Sequence, residues 1–63
     1  MEILLWQART NKGWVLEQLE KKSGVSKATL NRIENGQTSP TMDVMEKVAK
    51  ALNIRISDLY ESE

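Results

Sequence analysis

The sequence predicts an all-α domain of five short helices around one core, and three observations carry that prediction. Apolar residues recur at helical spacing, most completely at Met42, Met45, Val48, Ala49 and Leu52, which stand at i, i+3, i+6, i+7 and i+10. Helix-ending residues punctuate the chain at Lys12-Gly13, Ser23-Gly24, Asn35-Gly36 and Asn53, because Gly and Asn enter the left-handed conformation at a helix C-terminus most easily. Nowhere do apolar and polar residues alternate with a period of two, so no strand is expected.

The first helix covers about residues 2–11, with Leu4, Leu5 and Ala8 on one side. The second covers about 16–22 and turns Leu16 and Leu19 inward, with Trp14 as a partly exposed lid over it. The third covers about 26–34. Ser26 is a good N-cap, and Leu30 and Ile33 face the core. A loop over 37–39 leads to the fourth helix, about 41–52, where Ser39 is one candidate cap with Pro40 in the first turn and Thr41 is the other. The fifth covers about 56–60.

At 63 residues the chain reads as one domain, 1–63. A domain this small buries only ~60% of the surface its unfolded chain exposes, so its packing must be efficient. It has neither Cys nor His, which removes disulfides, the common zinc sites and the usual nucleophile–base pairs. No metal, no cofactor and no enzymatic activity are therefore expected; Met42 and Met45 read as core filler. The longest apolar run, Ile3-Leu4-Leu5-Trp6, is too short for a membrane span, and no signal peptide is evident, so a cytoplasmic location is expected. Net charge is zero but unevenly placed. Residues 1–40 carry six Lys/Arg against four Glu, whereas 41–63 carry three against five acids. A neutral chain of this kind can still present a basic face.

Function is concentrated in the second and third segments. Two helices of about two turns each, joined by Ser23-Gly24-Val25-Ser26, must cross steeply, and that is the helix-turn-helix arrangement. Gly24 supplies the positive φ and Val25 fills the gap between the helices. Around this motif stand Lys12-Gly13-Trp14, Leu16-Glu17-Gln18-Leu19, Ile33-Glu34-Asn35-Gly36, Thr38-Ser39-Pro40-Thr41, Ala49-Lys50-Ala51-Leu52 and Ile56-Ser57-Asp58-Leu59. In order and spacing these blocks resemble the lambda-repressor-like family (the Cro/repressor or xenobiotic-response-element type) from about Leu5 to Tyr60.

The resemblance implies a role for each matching position. The third helix becomes a recognition helix, with Lys27, Ala28, Thr29, Asn31 and Arg32 towards the bases of double-stranded DNA. Arg32 and Lys27 suit guanine, Asn31 suits adenine, and Ala28 or the Thr29 methyl suits the thymine methyl. Phosphate contacts fall to Lys12, Gln18, Asn35, Gln37 and Thr38, with Asn35 equally readable as a helix C-cap; Lys21 and Lys22 read more simply as a solvated face. Arg9 and Glu34 are expected to form a structural ion pair.

Four positions depart from the family's habits. Glu20 stands where Ala is usual, at the close approach of the motif helices; it must reach outward, find a cationic partner such as Lys27, or widen the crossing. Val15 replaces a capping Thr, Leu16 a phosphate-binding Gln, and Trp6 a common Arg. Trp6 with Ile3, Leu4 and Leu5 offers a patch for a protein partner or for self-association, as does the region of Ile54, Ile56 and Tyr60. The leading expectation is a transcriptional regulator, a repressor binding a palindromic operator as a homodimer. An antitoxin-type autoregulator and an interaction module that keeps the fold without DNA binding are the alternatives.

Overall fold

Four α-helices, one 3-10 turn and a two-stranded sheet make up the computed structural model, which describes residues 2–61. In order they are β1 (Glu2–Ile3), α1 (Leu5–Asn11), α2 (Leu16–Ser23), α3 (Lys27–Glu34), α4 (Met42–Leu52), the 3-10 turn (Ile56–Leu59) and β2 (Tyr60–Glu61). The expected count of five α-helices is thus four, the fifth segment being 3-10 and ending one residue before Tyr60.

The chain's beginning also differs from expectation. Residues 2–4 are not helical, and a strand exists where none was expected: β1 pairs antiparallel with β2, Ile3 opposite Tyr60 and Glu2 opposite Glu61. The Leu4 N–H extends this contact by donating to the Leu59 carbonyl at 2.7 Å. Two-residue strands are too short to imprint a period of two on the sequence, and their pairing depends on the fold bringing distant segments together. The facing glutamates weaken it, since like charges directly opposite are unfavourable.

The core lies where α2, α3 and α4 meet. Leu19, Leu30 and Leu52 are fully buried there, with Leu59 from the 3-10 turn beneath them, and Leu5, Val25, Ile33, Met45, Val48 and Ala49 complete the cluster. Burial of each large aliphatic side chain contributes about 1.5–3 kcal/mol. Leu16 is only half-buried. Met42 departs from the expected stripe and is 63% exposed. As the first residue of α4 it stands beyond the length of helix that the core covers, so the stripe begins in earnest at Val44 and Met45.

Helix ends follow local chemistry. The Thr41 hydroxyl accepts the Val44 N–H at 3.2 Å, so Thr41 rather than Ser39 caps α4, and Pro40 lies outside the helix. Ser26 caps α3 in the same way, through the Thr29 N–H. At α2 the cap position is Val15, with extended backbone and no hydroxyl to offer; only the return half of the interaction is made, the Val15 N–H donating to Gln18 Oε1 at 3.1 Å. Val15→Thr should therefore place a hydroxyl where Ser26 and Thr41 have theirs and raise unfolding free energy by about 1 kcal/mol. Urea denaturation of the two proteins checks this, and an unchanged midpoint would show that the α2 cap is already satisfied.

Candidate nucleic-acid interface

The turn between α2 and α3 is fixed by three short-range devices. Gly24 adopts φ +77°, a conformation that strains other residues, and its N–H bonds the Glu20 carbonyl at 2.9 Å. The Ser23 hydroxyl donates to the Leu19 carbonyl at 2.6 Å and accepts the Val25 N–H at 3.2 Å. Val25, 7% exposed, plugs the crossing.

Of the outcomes open to Glu20, the structure shows Lys27 as its partner, through the backbone N–H instead of the ammonium. Its Oε2 accepts the backbone N–H of Lys27 at 2.8 Å, so the carboxylate reaches across the turn and satisfies the first unpaired donor of α3. A negative charge at a helix N-terminus is also favoured by the helix dipole. The Lys27 ammonium pairs elsewhere, with Glu17 Oε2 at 2.9 Å. This hydrogen bond, more than any other influence, lowers the Glu17 pKa below the usual 4.5. The pair is accordingly complete at neutral pH, and it is lost only as pH falls through that depressed value.

On α3, Lys27, Ala28, Asn31 and Arg32 are all exposed and share one face, standing one helical turn apart in two rows. Arg32 enters no ion pair among the described residues. Asn31 accepts an amide hydrogen bond from Asn35 at 3.3 Å, which leaves the Asn31 side-chain amide donors directed away from that contact. Thr29 is different: it is half-buried, and its Oγ1 accepts the Ser26 hydroxyl at 2.8 Å. Thr29 lies one turn before buried Ile33, a spacing already visible in the sequence, and this leans it towards the core.

The candidate backbone-contacting residues flank that face. Gln18 is exposed near the start of α2, its oxygen held by the Val15 N–H and its amide N–H groups free of that bond. It lines an open groove with Trp14, Lys21 and Lys22, so the two lysines set aside in the sequence belong to the surroundings of Gln18. Lys12 is drawn over the Trp14 ring, 5.8 Å from its centre. Asn35 is the C-cap of α3, and Gln37 and Thr38 are exposed in the loop beyond it.

The far end of α3 is anchored by Arg9. Its Nε and Nη2 donate to the two carboxylate oxygens of Glu34 at 2.7 and 2.9 Å, and its Nη1 donates to the Trp14 carbonyl at 2.7 Å. The Arg9 and Glu34 side chains are only 12% and 5% exposed. The hydrogen bonds to Glu34 raise the Arg9 pKa above its already high ordinary value, outweighing the effect of burial.

Two short helices crossing at a left-handed glycine turn, the second exposing a polar strip and locked at both ends, define the helix-turn-helix class. Residues 7–59 match the helix-turn-helix family, and the chain belongs to that family in its Cro/repressor form. It is 43% identical over 53 residues to the HTH-type transcriptional regulator SutR of Escherichia coli (strain K12), which covers 84% of this chain and 30% of that protein. It is 39% identical over 56 residues to the HTH-type transcriptional regulator SinR of Bacillus subtilis (strain 168), covering 87% of this chain and 50% of that one. An uncharacterized HTH-type transcriptional regulator of Archaeoglobus fulgidus is 33% identical over 60 residues, covering 95% and 86%. The chain thus spans about a third to a half of SutR and SinR, and most of the archaeal relative.

The Arg9 site makes a direct stability prediction. Glu34→Ala leaves a guanidinium in a nearly dry site with only the Trp14 carbonyl, a change expected to cost about 3–5 kcal/mol. Since a domain of this size has a total stability of only about 3–9 kcal/mol, thermal melts by circular dichroism should show a large loss of folded protein at 37 °C.

Proposed function

We propose that the chain is the DNA-binding module of a transcriptional regulator, acting by insertion of α3 into the major groove. The observation that carries this reading is the exposed row of Lys27, Ala28, Asn31 and Arg32 on a helix fixed at one end by Glu20 and Ser26 and at the other by Arg9. A base-reading helix needs that combination, because bidentate contacts to guanine or adenine tolerate little misalignment. Arg32 and Lys27 donate to guanine, Asn31 pairs with adenine, Ala28 meets a thymine methyl, and the Thr29 methyl makes a secondary apolar contact from its half-buried position. Gln18, Asn35, Gln37, Thr38 and Lys12 set the register on the phosphates. Membership of a family whose similar members are HTH-type transcriptional regulators supports the same conclusion.

The binding unit is a dimer on a palindromic operator, with repression by occupancy. Successive half-sites on one face of DNA lie about 34 Å apart, whereas the module's longest dimension is 31 Å. One copy therefore reads one half-site, and a second copy is needed for the other.

Selection against a random double-stranded DNA pool at two salt concentrations tests this reading. A palindromic motif should emerge, with affinity falling as salt rises. Arg32→Ala should relax preference at one position of each half-site, by about 1–3 kcal/mol, and leave the melting temperature unchanged because the side chain is exposed. Unaltered base preference at every position would falsify docking through α3.

A further inference from the structure

Glu17 and Glu20 stand one helical turn apart on α2, and both reach the same residue of α3. Glu20 takes the Lys27 backbone N–H at 2.8 Å, and Glu17 takes its ammonium at 2.9 Å. The first contact has a clear structural purpose, since it completes the N-terminus of α3. The second does not. The crossing of α2 and α3 is already fixed by Gly24, the Ser23 hydroxyl, Val25 and Glu20. With side chains 64% and 51% exposed, the Glu17–Lys27 pair lies in solvent, where such pairs contribute little to stability and exchange readily.

We propose that Glu17 is an affinity-setting residue, an internal competitor that occupies the Lys27 ammonium until an anion displaces it. The inference rests on the reading of α3 as a DNA-contacting helix and adds to it a restraint on how tightly the module holds phosphate irrespective of sequence. A cation already paired with a carboxylate gains less from meeting a phosphate than a free one, because the phosphate replaces a partner instead of supplying one. The displaced carboxylate then remains beside a polyanion, which opposes binding further. A base contact in the groove is affected less, because the lysine carries three N–H donors and can retain Glu17 while donating to guanine. Glu17 thereby lowers indiscriminate binding more than specific binding.

The test is a mutant cycle of wild type, Glu17→Gln, Lys27→Met and the double variant, with Glu46→Gln on α4 as a control that changes net charge equally. Binding to a random-sequence duplex and to inorganic polyphosphate is measured across salt concentrations, and folding is checked by circular dichroism. Glu17→Gln should steepen the salt dependence by about one phosphate contact, a slope change of ~0.9, and tighten duplex binding on the order of tenfold at 0.1 M salt. It should exceed Glu46→Gln, and the excess should vanish in the Lys27→Met background. Equal gains from Glu17→Gln and Glu46→Gln, or a gain that persists without Lys27, overturn the proposal. Polyphosphate reports on Glu17 even if no operator is ever selected, so failure of the DNA reading and failure of this inference are distinguishable.

Discussion

The fork that Arg9 makes with Glu34 fixes what the hydrophobic core leaves free. Leu30 and Ile33 hold α3 against the rest of the molecule, but apolar burial is non-directional and permits a two-turn helix to rock or slide. A planar guanidinium with two donors on one carboxylate and a third on the Trp14 carbonyl permits neither. The clasp is tightened by the backbone, since the Trp14 N–H donates back to the Arg9 carbonyl at 3.2 Å. One side chain thus ties α1, the segment leading into α2 and the end of α3. Lys could supply the charge but not the fork. The aim of the exposed strip on α3 is only as good as this anchor.

The opposite end of α3 shows how an unusual residue can be absorbed without loss of the motif. A carboxylate between two closely crossing helices is unfavourable if it stays there unpaired. Glu20 leaves the crossing and finds the one nearby group that most needs an acceptor, the first N–H of α3. Ser26 supplies a second acceptor, to the Thr29 N–H. Both ends of α3 are therefore held by carboxylate hydrogen bonds, to a backbone donor at one end and to a guanidinium at the other. The consequence is electrostatic as well as mechanical, because Glu17 and Glu20 put negative charge beside the first residue of a helix proposed to meet a polyanion.

What could be read from the sequence was whatever depended on local spacing. The α2–turn–α3 unit, the αL glycine at position 24, the Val25 plug and most of the α4 stripe were all legible, because helical periodicity and turn chemistry act within a few residues. The sheet was not, since the pairing of Ile3 with Tyr60 is decided by tertiary contact alone. Met42 was misplaced because a stripe extrapolated to the first residue of a helix ignores where its neighbours end. At the site, the exposed positions of α3 followed from the amphipathic pattern and Lys27 was readable as a partner for Glu20, whereas the use of its backbone N–H and the pairing of its ammonium with Glu17 were not. Which donor of a residue each carboxylate takes is set by the turn's three-dimensional course and leaves no one-dimensional trace.

Zero net charge looks awkward for a protein proposed to bind DNA, yet the whole-molecule sum is the wrong quantity. At physiological salt, charges are screened over about 8–10 Å, whereas the molecule extends 31 by 23 by 20 Å. A phosphate approaching α3 therefore responds to the side chains near it and hardly at all to those on the far side. On α2 and α3, Lys21, Lys22, Lys27 and Arg32 stand with Glu17, Glu20 and Glu34, of which Glu20 is tied to the Lys27 backbone N–H and Glu34 to Arg9. Helix α4 is balanced, with Asp43 and Glu46 against Lys47 and Lys50, and Glu2 and Glu61 belong to the sheet. An uneven neutral molecule has no net pull on DNA at long range, but one of its faces is preferred once it is close. Affinity then comes from correct docking instead of from bulk charge, and that suits a module whose proposed base-reading helix carries one arginine in no ion pair among the described residues, Arg32, and one restrained lysine, Lys27.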